Sequence, residues 1–345
     1  MSARSRFQAR LDARLDSLLT RVELSPLTGC QIFITGGTGF VGTWLLQAVA
    51  ALNRRGADIR VSALTRDPTA FALRQPDLSR AGWLTLLAGD VADFVAPRMS
   101  VDLAILGAAP VTPAALANTA ATHRTIVDGT RRALAWSKAC GARRVLCLSS
   151  GAVYGEQPAG APAPAESSPC HPQTGDSYAE AKLAMENLSL AHGRSAGIDV
   201  VIARLFAFSG AWLPDHLAVT QFLKMALAGQ PIRLHGDGSP VRSYLDGADL
   251  ALWLLTLATH APGGTLCNVG SDEAVRLAQL AGFISQRYGG NCGVSLGKVS
   301  DDTRSCYLPD ITLARQQFGL HVWTPVEEAL DEHFAWVASL QGNDK

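Results

Sequence analysis

The chain has 345 residues, 48% hydrophobic and 17% charged, which supplies a sizeable core and excludes global disorder. Lys and Arg total 30, as do Asp and Glu, so no general electrostatic pull favours nucleic acid or an anionic membrane. No apolar run reaches the ~20 residues of a membrane span. Seven cysteines, an odd number without a CxxC pair, speak against a zinc ribbon or a disulfide framework and for a reducing, cytoplasmic setting.

Residues 1–26 carry Arg4, Arg6, Arg10, Arg14 and Arg21, but Asp12, Asp16 and Glu23 are unlike an acid-poor transit peptide. Leu11, Leu15, Leu18, Leu19 and Val22 fall at helical spacing, which predicts an amphipathic helix on the domain that follows, the alternative being a frayed tail. From residue 31, short apolar runs alternate with helical stretches. Strands are expected at Gln31–Thr35, Arg60–Leu64, Leu84–Leu87, Leu103–Leu106, Arg144–Leu148 and Val200–Ala203. Helices are expected at Thr43–Leu52, Thr125–Lys138 and Tyr178–His192. This alternation predicts an α/β fold, a doubly wound parallel (Rossmann) sheet covered on both faces. The dinucleotide-binding part is expected over 27–205, with 240–270 returning to it, and a smaller C-terminal substrate-binding lobe over 206–239 and 271–345. Five prolines between Pro158 and Pro172 mark a surface loop.

Gly36, Gly39 and Gly42 follow the first strand and open the first helix. Such a turn lets the backbone approach a pyrophosphate, and the helix N-terminus supplies free N–H groups. Gly36, Thr38, Gly39, Phe40, Val41 and Gly42 are therefore candidate cofactor contacts. An NAD site usually ends the second strand in an acidic residue; here Thr65 stands there, with Arg66 next. An arginine pairs with a 2′-phosphate, which favours NADP(H); NAD(H) stays possible if Asp67 takes the ribose. Asp90 is placed for the adenine, and Val91 and Ala108 are further candidate cofactor contacts.

Tyr178 and Lys182 lie four residues apart, on one helix face. An ammonium near a phenol favours the phenolate and is expected to lower its pKa from ~10 toward neutral, giving a general acid/base for carbinol–carbonyl interconversion. Ser150 ends the fifth strand at the carboxyl edge of the sheet, where it can orient the reacting oxygen. No histidine spacing suits a metal, and none is expected.

The segments T-G-G-T-G-F-V-G at 35–42, S-S-G-A-V-Y-G at 149–155, Y-A-E-A-K at 178–182, R-S-Y-L-D-G-A-D at 242–249 and Asn268-Val269-Gly270 carry a family likeness. The sequence resembles the extended short-chain dehydrogenase/reductases of the nucleotide-sugar epimerase/dehydratase group over residues 28–335. The resemblance implies Ser150, Tyr178 and Lys182 as the catalytic trio, with Lys182 also on the nicotinamide ribose. It implies a nucleotide-sugar substrate, Arg242 on its diphosphate, and a homodimer through helices at 113–140 and 178–192. His216, Tyr154 and Tyr244 are further candidates for the substrate side.

Departures narrow the reaction. Dehydratases of the group carry Asp-Glu where this chain has Gly151-Ala152, which disfavours a 4,6-dehydratase. The Asn expected to hold the substrate phosphate is Ala207. The expectation is an NAD(P)-dependent epimerase or ketoreductase acting at sugar C4. A ketoreductase of a non-sugar carbonyl and a non-catalytic NAD(P)-sensing regulator are the alternatives.

Overall fold

A computed structural model of the protein describes residues 2–95, 98–158, 160–298 and 306–341. The first apolar run forms β1 (Gln31–Thr35), and Gly36 turns the chain out of it with a φ of +72°. The later runs form β2 (Arg60–Thr65), β3 (Leu84–Ala88), β4 (Leu103–Leu106), β5 (Arg144–Ser150) and β6 (Asp199–Leu205). With the strand Leu266–Val269 they make a seven-stranded sheet, ordered Leu266–Val269, β6, β5, β4, β1, β2, β3. Every pair in it is parallel; Ile34 of β1, for example, lies opposite Ala63 of β2 and Ile105 of β4.

The six expected strands are present; β1 and β4 have the expected bounds, and the other four are extended by one or two residues at an end. The seventh covers four residues at the Asn268-Val269-Gly270 motif, where Asn268 interrupts the apolar run. The expected helix Thr125–Lys138 begins as a π-type turn, Arg124–Asp128, and continues as an α-helix over Gly129–Ala139.

Both sheet faces are covered, so strand residues of either parity are buried. On one face, α2 (Phe40–Arg54) and the helix Gly247–His260 pack Trp44, Leu45 and Trp253 against Ile32 and Ile34. On the other, Phe33, Leu134 and Met185 share a core with Ile202. A third core joins Phe222, Leu223, Ile232, Leu280, Ile284 and Leu330 from segments on the C-terminal side of β6.

Strand order reverses between β1 and β4, and this places a crevice at their carboxyl ends. The two ends are tied together there: Thr35 Oγ1 accepts the N–H groups of Gly107 (3.1 Å) and Ala108 (3.3 Å).

The N-terminal residues form α1 (Ala3–Leu18), capped by the Ser2 hydroxyl, with Phe7, Leu11, Leu15 and Leu18 buried in the main core. Arg14 reaches under this helix to Asp246, Nη2 to Oδ1 at 2.6 Å. Among the described residues no helix is long and apolar enough to cross a membrane. All seven cysteines are unpaired.

Candidate active site

The crevice leads to a cavity of about 220 Å³ whose lining includes Gly36, Gly107, Ser150, Tyr178, Lys182 and Tyr307. The glycine loop forms its near wall. A Cβ on Gly36 would lie 2.8 Å from the Gly107 carbonyl carbon, so glycine is required by packing as well as by φ. Gly39 differs: a Cβ there would meet only the Gly36 oxygen, at 3.4 Å. Gly39 is also the N-cap of α2 and supplies no side-chain cap, so the first N–H groups of the helix face outward without a side-chain acceptor. An open glycine beside bare helix N–H groups fits a dinucleotide diphosphate.

At the end of β2, the Thr65 hydroxyl pairs with that of Thr38 at 3.0 Å. Arg66 is exposed. Asp67 turns its carboxylate to the Ala70 N–H (2.8 Å) and caps the helix Pro68–Arg74. Asp90 accepts from the Ala92 N–H at 2.9 Å, and Val91 is buried against Gly129. Ala108 closes the turn after β4.

Ser150 is brought to the cleft as the last residue of β5, and its Oγ accepts the Ala152 N–H at 3.2 Å. Tyr178 is the second residue of the helix Ser177–Ala196, which Asp176 caps through the Ala179 N–H. Lys182 follows one turn later and is buried. Its Nζ donates to the Leu148 carbonyl at 2.6 Å and lies 5.6 Å from the centre of the Tyr178 ring. Burial pushes the lysine down to about 8 and drives the Tyr178 phenol upward. The neighbouring Tyr307 adds to the rise, and a hydrogen bond from Ser150 opposes it. The expectation that the ammonium by itself makes this phenol acidic is therefore corrected. The ammonium is turned to a carbonyl, and desolvation is the larger effect on both groups.

Two tyrosines expected on the substrate side are placed elsewhere. The Tyr154 hydroxyl is buried, accepting from Arg204 Nη1 (2.9 Å) and donating to Asn268 Oδ1 (2.8 Å). Arg204 in turn grips Glu186 with two nitrogens, at 3.0 and 2.8 Å, and Ser149 donates to the same carboxylate. This network lies behind the cavity wall. Tyr244 is buried in the C-terminal core, where burial pushes its phenol up to about 12. His216 is half-buried in the loop before the helix Ala218–Leu227 and is not part of the cavity lining. Arg242 is half-buried on the short strand Val241–Arg242, beside Tyr307 of the strand Cys306–Tyr307.

Sequence reasoning left two wall residues without a role. Tyr307 enters from the C-terminal segment, and Phe206 packs against it with tilted rings whose centres are 4.8 Å apart. Phe206 also fills the space over Gly151, where a Cβ would come within 2.5 Å of its ring. The nearest sequence signal is the run Tyr307-Leu308-Pro309-Asp310, which marks a turn back toward the sheet but no chemistry.

A parallel sheet with a glycine-rich turn at its switch point, and Ser, Tyr and Lys at the next strand ends, defines a Rossmann-type NAD-binding protein of the extended short-chain dehydrogenase/reductase class. The sequence profile of the NAD dependent epimerase/dehydratase family matches residues 32–270, and the chain belongs to that family. The GDP-6-deoxy-D-mannose reductase of Pseudomonas aeruginosa is 30% identical over 257 residues, covering 72% of this chain and 77% of its own length. UDP-glucuronic acid decarboxylase 2 of Arabidopsis thaliana is 27% identical over 316 residues, 86% of this chain. The match spans 65% of that decarboxylase's length. The UDP-glucuronic acid 4-epimerase of Bacillus cereus, solved with UDP-glucuronic acid and NAD, shares the fold with a TM-score of 0.78 at 18% identity. That match covers 90% of this chain and 99% of the epimerase.

Proposed function

We propose that the chain transfers hydride between a nicotinamide dinucleotide and C4 of a nucleotide-linked sugar. One observation carries this reading: Ser150, Tyr178 and Lys182 line the same cavity as the glycine turn at Gly36. The diphosphate would be held by Gly39 and the first N–H groups of α2. Thr65 and Arg66 would meet the adenosine ribose, and Asp90 the adenine. The dinucleotide, when bound, supplies the hydride donor or acceptor.

The chain supplies the proton chemistry. Tyr178 takes the hydroxyl proton when the sugar carbinol is oxidised and returns it when the ketone is reduced. Ser150 donates to the same sugar oxygen and orients it. The Lys182 charge, close to the phenol ring, favours the phenolate over what burial alone would allow. Arg242 would pair with the substrate diphosphate.

Two forms of the reaction share these steps: a ketoreductase, which exchanges its cofactor at each turnover, and an epimerase, which keeps it. The end of β2 favours the first. Thr65 replaces the usual acid and Asp67 is committed to a helix cap, which leaves the exposed Arg66 to meet a 2′-phosphate. NADP(H) is thus the preferred cofactor. Phe206, seated over Gly151 where a dehydratase would carry its acid, supports the reading against a dehydratase. A homodimer through Gly129–Ala139 and Ser177–Ala196 is part of the proposal, and light scattering checks it.

Thermal shift with NAD, NADP and a panel of UDP-, dTDP-, GDP- and CDP-sugars, UDP-glucuronic acid first, tests the reading. A bound partner at ~100-fold its Kd stabilises by about 2.7 kcal/mol. No response to either dinucleotide would overturn it. Nicotinamide that stays with the protein through gel filtration would favour the epimerase form, and consumption of added NADPH the reductase.

A further inference from the structure

Tyr178, Lys182 and Glu186 follow one another at four-residue steps on one face of the helix Ser177–Ala196. Each meets one of the last three residues of β5. Tyr178 is hydrogen-bonded to Ser150, Lys182 Nζ donates to the Leu148 carbonyl (2.6 Å), and Ser149 Oγ donates to Glu186 Oε1 (2.5 Å). Glu186 is only 2% exposed and is clamped from a second strand as well. Ser149 lies opposite Arg204 of β6 in the parallel register, and Arg204 grips both carboxylate oxygens, with Nε at 3.0 Å and Nη2 at 2.8 Å.

Lys182 on Leu148 fixes a single point, about which the helix could still turn or tilt. Glu186 adds a second point one turn, ~6 Å, further along. Its partners are side chains of two paired strands, and hydrogen bonds are directional where apolar packing is not. A buried ion pair yields little net stability, because the cost of taking both charges out of water offsets their attraction; fixing register is the use it serves best. Burial lowers the Lys182 ammonium, and Cys147 and then Glu186 work against it, so the same carboxylate favours a charge beside the Tyr178 ring.

We propose that Glu186 is a positioning residue of the reactive centre: clamped by Ser149 and Arg204 from adjacent strands, it fixes the register of the helix Ser177–Ala196 on the end of β5, and with it the spacing of the Ser150 and Tyr178 hydroxyls. The proposal rests on the hydride-transfer reading above. It gives the buried network behind the cavity wall a task. Ser149 and Arg204 hold the carboxylate, and the carboxylate holds the helix that carries Tyr178 and Lys182.

Stopped-flow absorbance of the nicotinamide reads the hydride step in the full chain, with saturating NADP+ or NAD+ and with UDP-glucose, dTDP-glucose, GDP-mannose and UDP-glucuronic acid in turn. Ser149→Ala removes one clamp and leaves Glu186 paired with Arg204. The rate is expected to fall ~10-fold, while the dinucleotide Kd and the sugar concentration at half-maximal rate stay within ~2-fold of wild type. Glu186→Met combined with Arg204→Met removes both charges together, so that none is left buried and unpaired. It is expected to lower the rate at least as far, and it decides the matter if the alanine variant folds poorly. Tyr154→Phe takes away a hydroxyl on the far side of Arg204, where it bonds Asn268, and is expected to lower the melting temperature without slowing the hydride step. A rate within ~2-fold of wild type in either of the first two variants, a loss carried by affinity instead of rate, or a loss that Tyr154→Phe shares would overturn the proposal. If none of the sugars reduces the nicotinamide in the wild type, the hydride-transfer reading falls instead.

Discussion

Tyr178 and Ser150 are held differently, and the difference sets what their variants should do. Tyr178→Phe removes the oxygen proposed to move the proton and keeps the ring. If the proposed hydride transfer holds, turnover is expected to fall ~10²–10⁴-fold with dinucleotide affinity unchanged, as kinetics and fluorescence titration would read. Arg66→Asp places an acid near the end of β2 and, on the proposed NADP(H) reading, is expected to weaken NADP(H) at least ~10-fold while sparing NAD(H). His333 carries a residue-scale prediction of another kind. It is buried between the Ser209 (3.0 Å) and Thr220 (3.3 Å) hydroxyls, and burial lowers its pKa to about 3. The unfolded imidazole, near 6.5, binds its proton first, so stability is lost as pH falls below that value. Between pH 6.5 and 5 the loss should be about 2 kcal/mol in chemical denaturation, and His333→Gln should flatten it. The Tyr178–Lys182 pair and the glycines could be singled out because short spacings place them, and Ser150 because it ends an apolar strand; the meeting of Ser150, Tyr178 and Lys182 in one cavity is what the structure adds. Tyr307 could not: it meets Ser150 across 157 residues of chain. Tyr154 and Tyr244 looked equally eligible, since a phenol suits a pocket and a core alike.

At the scale of elements, the glycine turn separates folding from binding. Gly36→Ala forces a Cβ against the Gly107 backbone in a left-handed conformation and is expected to lower the melting temperature. Gly39→Ala meets little protein and is expected to leave the melting temperature nearly unchanged while weakening the dinucleotide ~10-fold or more, because the added methyl stands where the diphosphate would approach. Calorimetry and cofactor titration on the two variants check the contrast. The six expected strands were readable because burial on both faces makes them continuous apolar runs. Leu266–Val269 was readable only through its motif, since Asn268 interrupts its apolar run, whereas the equally short β4 is apolar throughout. The segments after β6 were the least legible. There, two-residue strands such as Ile232–Arg233 and Val241–Arg242 depend on partners far along the chain.

Across the whole molecule, α1 joins parts that are distant in sequence. Arg14 meets Asp246, which caps the helix Gly247–His260, and also donates to the Thr324 hydroxyl at 2.8 Å. Asp249, packed beside Asp246 and buried, is held well above the usual carboxylate range by desolvation and by that neighbour. Arg14→Met would strand two buried carboxylates and is expected to cost about 3–5 kcal/mol. A carboxyl raised in this way contributes stability at low pH and loses it as pH rises through its folded value, so the variant should be weakest in alkaline buffer, as melting across a pH series would read. The amphipathic pattern of α1 was legible from its leucines; its ionic anchor was not, because the partner lies more than two hundred residues away. For anyone preparing the protein at the bench, a clone shortened to begin at the glycine turn would unseat that anchor and uncover the greasy socket of Phe7 and Leu11, yielding sticky material even though every reactive side chain remained.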